Sequence, residues 1–390
     1  MGVKPQTLVI LGAGVGGVTL AHHVLRFTVP KVPGLRVVLV SPNTDFYWNL
    51  ASPRALVADD FAEKLFQPLA PAFEKYGDKV ELVYGAAESL QPDQNAVVVA
   101  LNGGGSRTIS YDAIVIATGS NAREGMPWKS VGSTEATKKM LHELRLGIDA
   151  ARTIVVAGNG TTGIEIAGEL GDLLVAGEPK EVYFVIDQRL PASLPVKDSV
   201  RDAIRSTLEK NKVKIVPNVK VTSATVTGTQ TVLELSPANK DGQKQTLTAD
   251  VYLPAFGLVP NTSFVPAELL AADGRVKQTT KLRAEGQQNI FVIGDAGNLE
   301  PAKIIGVDSQ VHHLGKVFQT YFTTGAVTEY KPNDKFMMGV SLGKDAGTGQ
   351  AMGMKIFSFL VWYMKSRYMG LNWYADLLKG TRTVTGNLKG

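Results

Sequence analysis

Two stretches of the chain hold glycines at a spacing that suits a dinucleotide. Gly12, Gly14 and Gly17 form one G-x-G-x-x-G, with Ala13 and Gly16 between them. Gly158, Gly160 and Gly163 form a second, with Thr161 and Thr162 inside it. In such a turn the first glycine permits a tight strand-to-helix reversal. The second lets a pyrophosphate approach the backbone, and the third lets the helix pack close on the strand. The helix N-terminus then holds the negative charge. The chemistry therefore demands a strand before each motif and a helix after it. Apolar runs Leu8–Leu11 and Thr153–Ala157 supply the buried strands, and Val18–Ala21 and Ile164–Leu170 open the helices. Each motif also has a second strand, Leu35–Val40 and Val182–Ile186, and Gly17 to Ser41 and Gly163 to Asp187 are both 24 positions. Two dinucleotide sites imply a two-electron relay between a bound flavin and a diffusible nicotinamide, with the protein supplying position and electrostatics.

The residues ending the second strands differ. Asp187 suits the 2′-hydroxyl of NADH, while Arg189 is placed to accommodate a 2′-phosphate, with NADH slightly favoured. Ser41 stands where an acid is usual, so Ser41 or Asn43 bonds the ribose more weakly. Asp45–Arg54 reads as a wall for a flat ring system, with Pro53 in a helical first turn and Arg54 at the polar edge, or as an ordinary packed loop. Ala117-Thr118-Gly119 closes another apolar strand, where backbone approaches a ligand. Gly257 lies in a Gly/Pro turn after the strand opening at Val251. Asp295 ends the strand at Ile290, as a helix cap or as a partner for a ribityl hydroxyl. Pro301–Thr320 is expected to be helical with Lys303 in its first turn, where a cation opposes the dipole. Helices are also expected over Ala62–Tyr76 and Thr134–Gly147, a hairpin turn at Asn102–Gly105 and a loop tip at Asn239–Gly242.

With 390 residues and 44% hydrophobic content, the chain can bury more than one core. It has no cysteine, which excludes disulfides, thiolate metal sites and redox C-x-x-C chemistry. Met1-Gly2 is not read as a myristoylation signal, because Gln6 occupies the Ser/Thr position. No transmembrane helix is expected: Ile356–Met364 spans ~14 Å as a helix, against the ~30 Å of a bilayer core. Residues 351–390 hold six basic side chains and one acidic, so the whole excess of +5 belongs to the tail. Met352–Met364 is read as a dense apolar helix, and a second short helix is capped by Asn372 and closed by Gly380. Together they offer a membrane-surface contact beside a quinone entry, or a face packed in the core or in a homodimer. Nucleic acid is not expected.

The two fingerprints, with ATG at 117–119, GLVPNT at 257–262 and IGDAG at 293–297, resemble the two-dinucleotide-binding flavoprotein family. GIEIAGE around Glu165, PAKIIG around Lys303 and MKSR at 364–367 resemble its apoptosis-inducing-factor-like branch, and there the ferroptosis-suppressor type of NAD(P)H:quinone oxidoreductase. The resemblance implies an α/β fold with two Rossmann-like domains: an FAD-binding domain at 1–121 and 253–328, an inserted NAD(P)H-binding domain at 122–252, and a C-terminal α+β domain at 329–390. It implies that Gly12, Gly14, Gly17, Thr118, Gly119 and Asp295 hold FAD, and that Gly158, Gly160, Gly163 and Asp187 hold NAD(P)H. Glu165 matches a family Glu at the nicotinamide–flavin contact and Lys303 a family Lys beside the flavin, and the two are expected to pair. The activity expected is hydride transfer from NAD(P)H to FAD and on to a quinone. The alternatives are reduction of a protein acceptor and a signalling role. The expected location is cytoplasmic, or peripheral on a membrane such as a lipid droplet or mitochondrial surface.

Overall fold

The computed structural model describes residues 5–193, 195–238, 243–332 and 336–390. Met1-Gly2 and the loop tip at Asn239–Gly242 lie outside the described residues. In chain order, β1 (Gln6–Leu11), α1 (Val15–Phe27) and β2 (Leu35–Ser41) lead into β3 (Val80–Gln91), β4 (Ala96–Leu101), β5 (Ser106–Ser110) and β6 (Ala113–Ile116). Then come α2 (Thr134–Ala150), β7 (Thr153–Ala157), α3 (Thr161–Val175), β8 (Glu181–Val185) and β9 (Lys214–Val216). The antiparallel strands β10 (Val219–Thr227), β11 (Gln230–Pro237) and β12 (Gln245–Ala249) follow, then β13 (Val251–Pro254), β14 (Ile290–Val292) and α4 (Ile304–Thr324). A last module contains β15 (Met337–Ser341), β16 (Gly347–Ala351), β17 (Met354–Ile356) and α5 (Leu371–Leu378).

The first large sheet has the order β14-β6-β1-β2-β3-β4-β5, and the second β9-β8-β7-β13. In both, the strand before the glycines is central and parallel to its two neighbours, with Leu8 opposite Val37 and Ala113, and Ile154 opposite Val182 and Val251. That is a switch point, where the strand order reverses and a crevice opens at the carboxyl ends. Leu8, Val9, Ile10 and Ile154, Val155, Val156 are wholly buried, because a parallel sheet covered on both faces needs apolar residues on both. The α/β architecture with two dinucleotide-binding folds is as the sequence implies.

Four local expectations are corrected. Residues 62–76 are not one helix: the chain breaks into a short helix Asp59–Ala62, a strand Phe66–Pro68 and a helix Leu69–Phe73. Pro68 drives Gln67 out of helical geometry, and Gly77 at φ +54° ends the stretch. Lys303 is the extended N-cap of α4 and not in its first turn. The apolar segment at 352–364 is not a helix either. Met352 (φ +48°) and Gly353 (φ +74°) form the two-residue turn of the β16–β17 hairpin, with Ala351 paired to Met354. Only Ser358–Val361 and the wider turn Trp362–Ser366 are helical. Finally, α5 is preceded by left-handed Gly370, and Asn372 lies inside it.

The end of the described chain folds back on α1 and α4. Buried Asp308 accepts from the Val384 N–H at 3.0 Å, from Thr383 Oγ1 at 3.1 Å and from Thr385. Arg26 donates to the Gly380 carbonyl, and His23 meets the Lys389 carbonyl at 3.0 Å.

Candidate active site

The two glycine turns have matching geometry. Gly12 is left-handed at φ +102°, and a Cβ there would lie 2.5 Å from the Ala117 carbonyl oxygen. Gly158, at φ +130°, faces the Ala255 carbonyl oxygen at the same 2.5 Å. A Cβ on Gly17 would lie 1.8 Å from the Gly12 carbonyl oxygen, and one on Gly163 2.1 Å from that of Gly158. Gly14 and Gly160 meet nothing within 4 Å. The third glycine therefore serves packing, and the second leaves its side open. Neither α1 nor α3 has a side-chain N-cap, so first-turn N–H groups remain for an anion. Both cradles fit a pyrophosphate, as FAD and NAD(P)H each require.

One cavity of about 1850 Å³ joins the two turns. Gly12, Ala13, Gly14, Gly16, Ser41, Pro53, Ala117, Thr118, Gly119 and Asp295 line it on one side, and Gly158, Gly160, Thr161, Thr162, Glu165, Asp187 and Gly257 on the other, with Lys303 also in the wall. Gly17 and Gly163 stand behind their turns. Arg54 and Arg189 are not in the wall. Arg54 is buried and engaged elsewhere, which corrects its placement at the flavin edge. Ser41 is buried, and its Oγ accepts the Asn43 N–H at 3.0 Å, so this hydroxyl stabilises its own turn.

Two carboxylates in the cavity wall are paired with lysines. Asp295 accepts from Ser120 Oγ at 2.7 Å and from Lys129 Nζ at 2.9 Å. Burial pushes its carboxyl up, but the Lys129 charge and these two bonds win and hold it below the usual carboxylate range. Glu165 is joined to Lys365 Nζ at 2.5 Å and accepts the Ser341 N–H at 3.1 Å, both through Oε1. The expected Glu165–Lys303 pair is therefore replaced by a Glu165–Lys365 pair. Lys303 instead lies 4.8 Å from the Phe336 ring centroid in a cation–π contact.

Glu165 opens an acidic stripe on α3. Glu165, Glu169 and Asp172 recur at i, i+4 and i+7, one face of a helix. Glu169 binds Arg54 Nη2 at 2.7 Å and Nε at 3.0 Å, and Arg54 Nη1 donates to the Ser366 carbonyl at 2.6 Å. Asp172 accepts the Lys344 N–H at 2.8 Å. The stripe fastens the second dinucleotide fold to the last module, and Arg54 ties both to the first. The spacing of these acids was visible in GIEIAGELGD. Their partners Lys365 and Arg54, and Lys129 at Asp295, carried no local signal.

Residues 6–307 match the pyridine nucleotide-disulphide oxidoreductase family. The chain belongs to that family. Its cofactor is FAD, with NAD(P)H as electron donor. Since it has no cysteine, the thiol chemistry in the family's name is absent from this chain. It is 36% identical to oxidoreductase ptaL of Pestalotiopsis fici over 366 residues, covering 91% of this chain and 94% of that protein. It is 25% identical to ferroptosis suppressor protein 1 of Xenopus tropicalis, with 92% of each covered. The sulfide:quinone oxidoreductase of Aquifex aeolicus superposes with a TM-score of 0.76 at 17% identity, over 96% of this chain and 92% of that one.

Proposed function

We propose that the chain is an FAD-dependent NAD(P)H:quinone oxidoreductase, in which NAD(P)H, a proton and a quinone give NAD(P)⁺ and a hydroquinone. One observation carries this reading. The cavity does not end at the two glycine cradles but continues into an apolar arm of the last module, lined by Phe336, Met338, Ile356, Val361 and Met364. Bound FAD would supply the two-electron step between donor and acceptor. The α1 turn and Asp295 hold that cofactor. The α3 turn holds the donor pyrophosphate, and Asp187 accepts from its ribose. Glu165, fixed by Lys365 and Ser341 through Oε1, keeps Oε2 for the carboxamide of the nicotinamide. Lys303, steadied by Phe336, faces the arm as a cation for a quinone oxygen. The similar Aquifex protein is a sulfide:quinone oxidoreductase, which agrees with a quinone acceptor here.

Purified protein is expected to be yellow, to bleach on anaerobic NADH and to regain colour on adding a quinone. Colourless protein that takes up no flavin overturns the reading, as does reduced flavin that no quinone reoxidises.

The rim of the arm is exposed and apolar. Phe357, Phe359, Tyr363 and Met364 are 65–74% exposed, so they do not pack in the core. No helix of the described residues is long and apolar enough to cross a membrane. With Lys355 and Arg367 beside it, this rim suits the surface of an anionic bilayer. Flotation with anionic liposomes tests this, and a concentration-dependent dimer without flotation refutes it.

A further inference from the structure

The arm has a singular composition. Of the chain's nine methionines, Met337, Met338, Met352, Met364 and Met369 line this cavity. They come from separate elements: the start of β15, the β16–β17 turn, the Trp362–Ser366 turn and the segment before α5. Trp373 adds an indole to the same wall, T-shaped against Trp48 at 5.0 Å. Met352 and Met364 are 73% and 74% exposed, so the opening is edged by thioethers that are free to re-pack.

A channel for a flexible aliphatic tail is served by Leu, Ile and Val, whose rotamers are stiff. Thioethers add little there. They do add to an aromatic guest, because sulfur makes favourable contacts with ring edges and the unbranched side chain adapts to a flat shape. Lys303 lies in the same cavity wall, offering a cation for a carbonyl oxygen. Resting on the quinone-reductase reading, we propose that this arm is a ring clamp. Its acceptors are fused-ring aromatic quinones of two or three rings, held by the ring system and not by a prenyl tail. Reduction takes a hydride equivalent from NAD(P)H and one proton from solvent to give the fused-ring hydroquinone.

The test uses the flavin-loaded full chain and two readouts. First, kcat/KM is measured at saturating NADH for 1,4-naphthoquinone and decyl-ubiquinone, in the wild type and in a Met337→Leu/Met352→Leu/Met364→Leu variant. The wild type should favour naphthoquinone. The variant, which keeps size and apolarity, should lower the naphthoquinone-to-ubiquinone ratio about tenfold. An unchanged ratio, or a wild type that prefers the alkyl-tailed acceptor, overturns the clamp while leaving quinone reduction standing. Second, binding of anthraquinone-2-sulfonate is measured by calorimetry without NADH. Binding that the triple variant weakens, without turnover of any quinone, keeps ring recognition by the arm but overturns the quinone-reductase reading and, with it, the arm's role as an acceptor site. No binding overturns the clamp.

Discussion

The two dinucleotide folds are near copies in their turns and opposites in their helices. Both present a left-handed first glycine, an open second glycine and a third glycine pressed on the first. Yet α1 carries two buried histidines and no acid, whereas α3 carries three acids and no histidine. The first helix is packed in place by aromatic rings and the returning chain end. His22 stacks on Phe73 at 4.5 Å, and His23 meets Phe27 at 5.0 Å. The second helix is held by ion pairs. The glycines set where a pyrophosphate lies. The rest of each helix sets what that site is coupled to.

The hardest blow to the comparison is a methyl group on the third glycine. Gly17→Ala should abolish flavin retention and cost several kcal/mol, since the backbone carbonyl behind it cannot retreat. Gly163→Ala should keep the yellow colour and lose reduction by NADH. Absorbance and thermal unfolding separate the two, and a colourless Gly163→Ala protein would mean that the copies are not separable.

Next in size is the clasp on α3. Arg54→Met leaves Glu169 buried without its partner, and should cost ~3–5 kcal/mol in chemical denaturation. A loss near zero would show that the stripe is not what fastens the modules.

Acid should weaken the first fold through its histidines. Burial lowers His22 to about 3 and His23 to about 4, with the neighbouring cations helping. Both are neutral when folded, and the unfolded chain binds more protons below pH 6.5. Stability is therefore level above about pH 6.5 and falls toward the folded values, by about 2 kcal/mol per imidazole at pH 5. Denaturation midpoints at pH 7.5 and 5.0 check this, and His22→Phe should flatten the slope.

The smallest effect is at the end of β8. Asp187→Ala should raise KM for NADH about tenfold and spare NADPH, while Ser41→Ala, at the matching place in the first fold, should leave both unchanged. Steady-state kinetics with both donors decides it.

Much of this was legible in the sequence where the cause is local. Leu8–Leu11 and Ile154–Ala157 are apolar without alternation because each strand is covered on both faces, and the glycine spacing follows from a turn of fixed geometry. The turn expected at Asn102–Gly105 separates β4 from β5, because Gly104 and Gly105 take positive φ there. The last module was misread because Met, Phe and Leu in series carry no period, and the turn at Met352-Gly353 places a long side chain where φ is positive. The site's ion pairs were out of reach for another reason. Glu165 and Lys365 are brought together by the fold of a separate module, and nothing near Glu165 names its partner. Arg54 was read as a ligand contact because a cation beside an aromatic run suggests one, whereas buried charge is satisfied wherever a carboxylate is supplied.

The grip of Asp308 on residues 383–385 has a bearing on biosynthesis. Arg26 and the carbonyl it binds are separated by 354 positions, and Val384 forms part of the cavity wall. A nascent polypeptide emerging from the ribosome can form the α1 turn early, but that turn lacks this panel until residues 383–385 have been made. The turn and the panel that completes its cavity wall are thus made at well-separated times in synthesis.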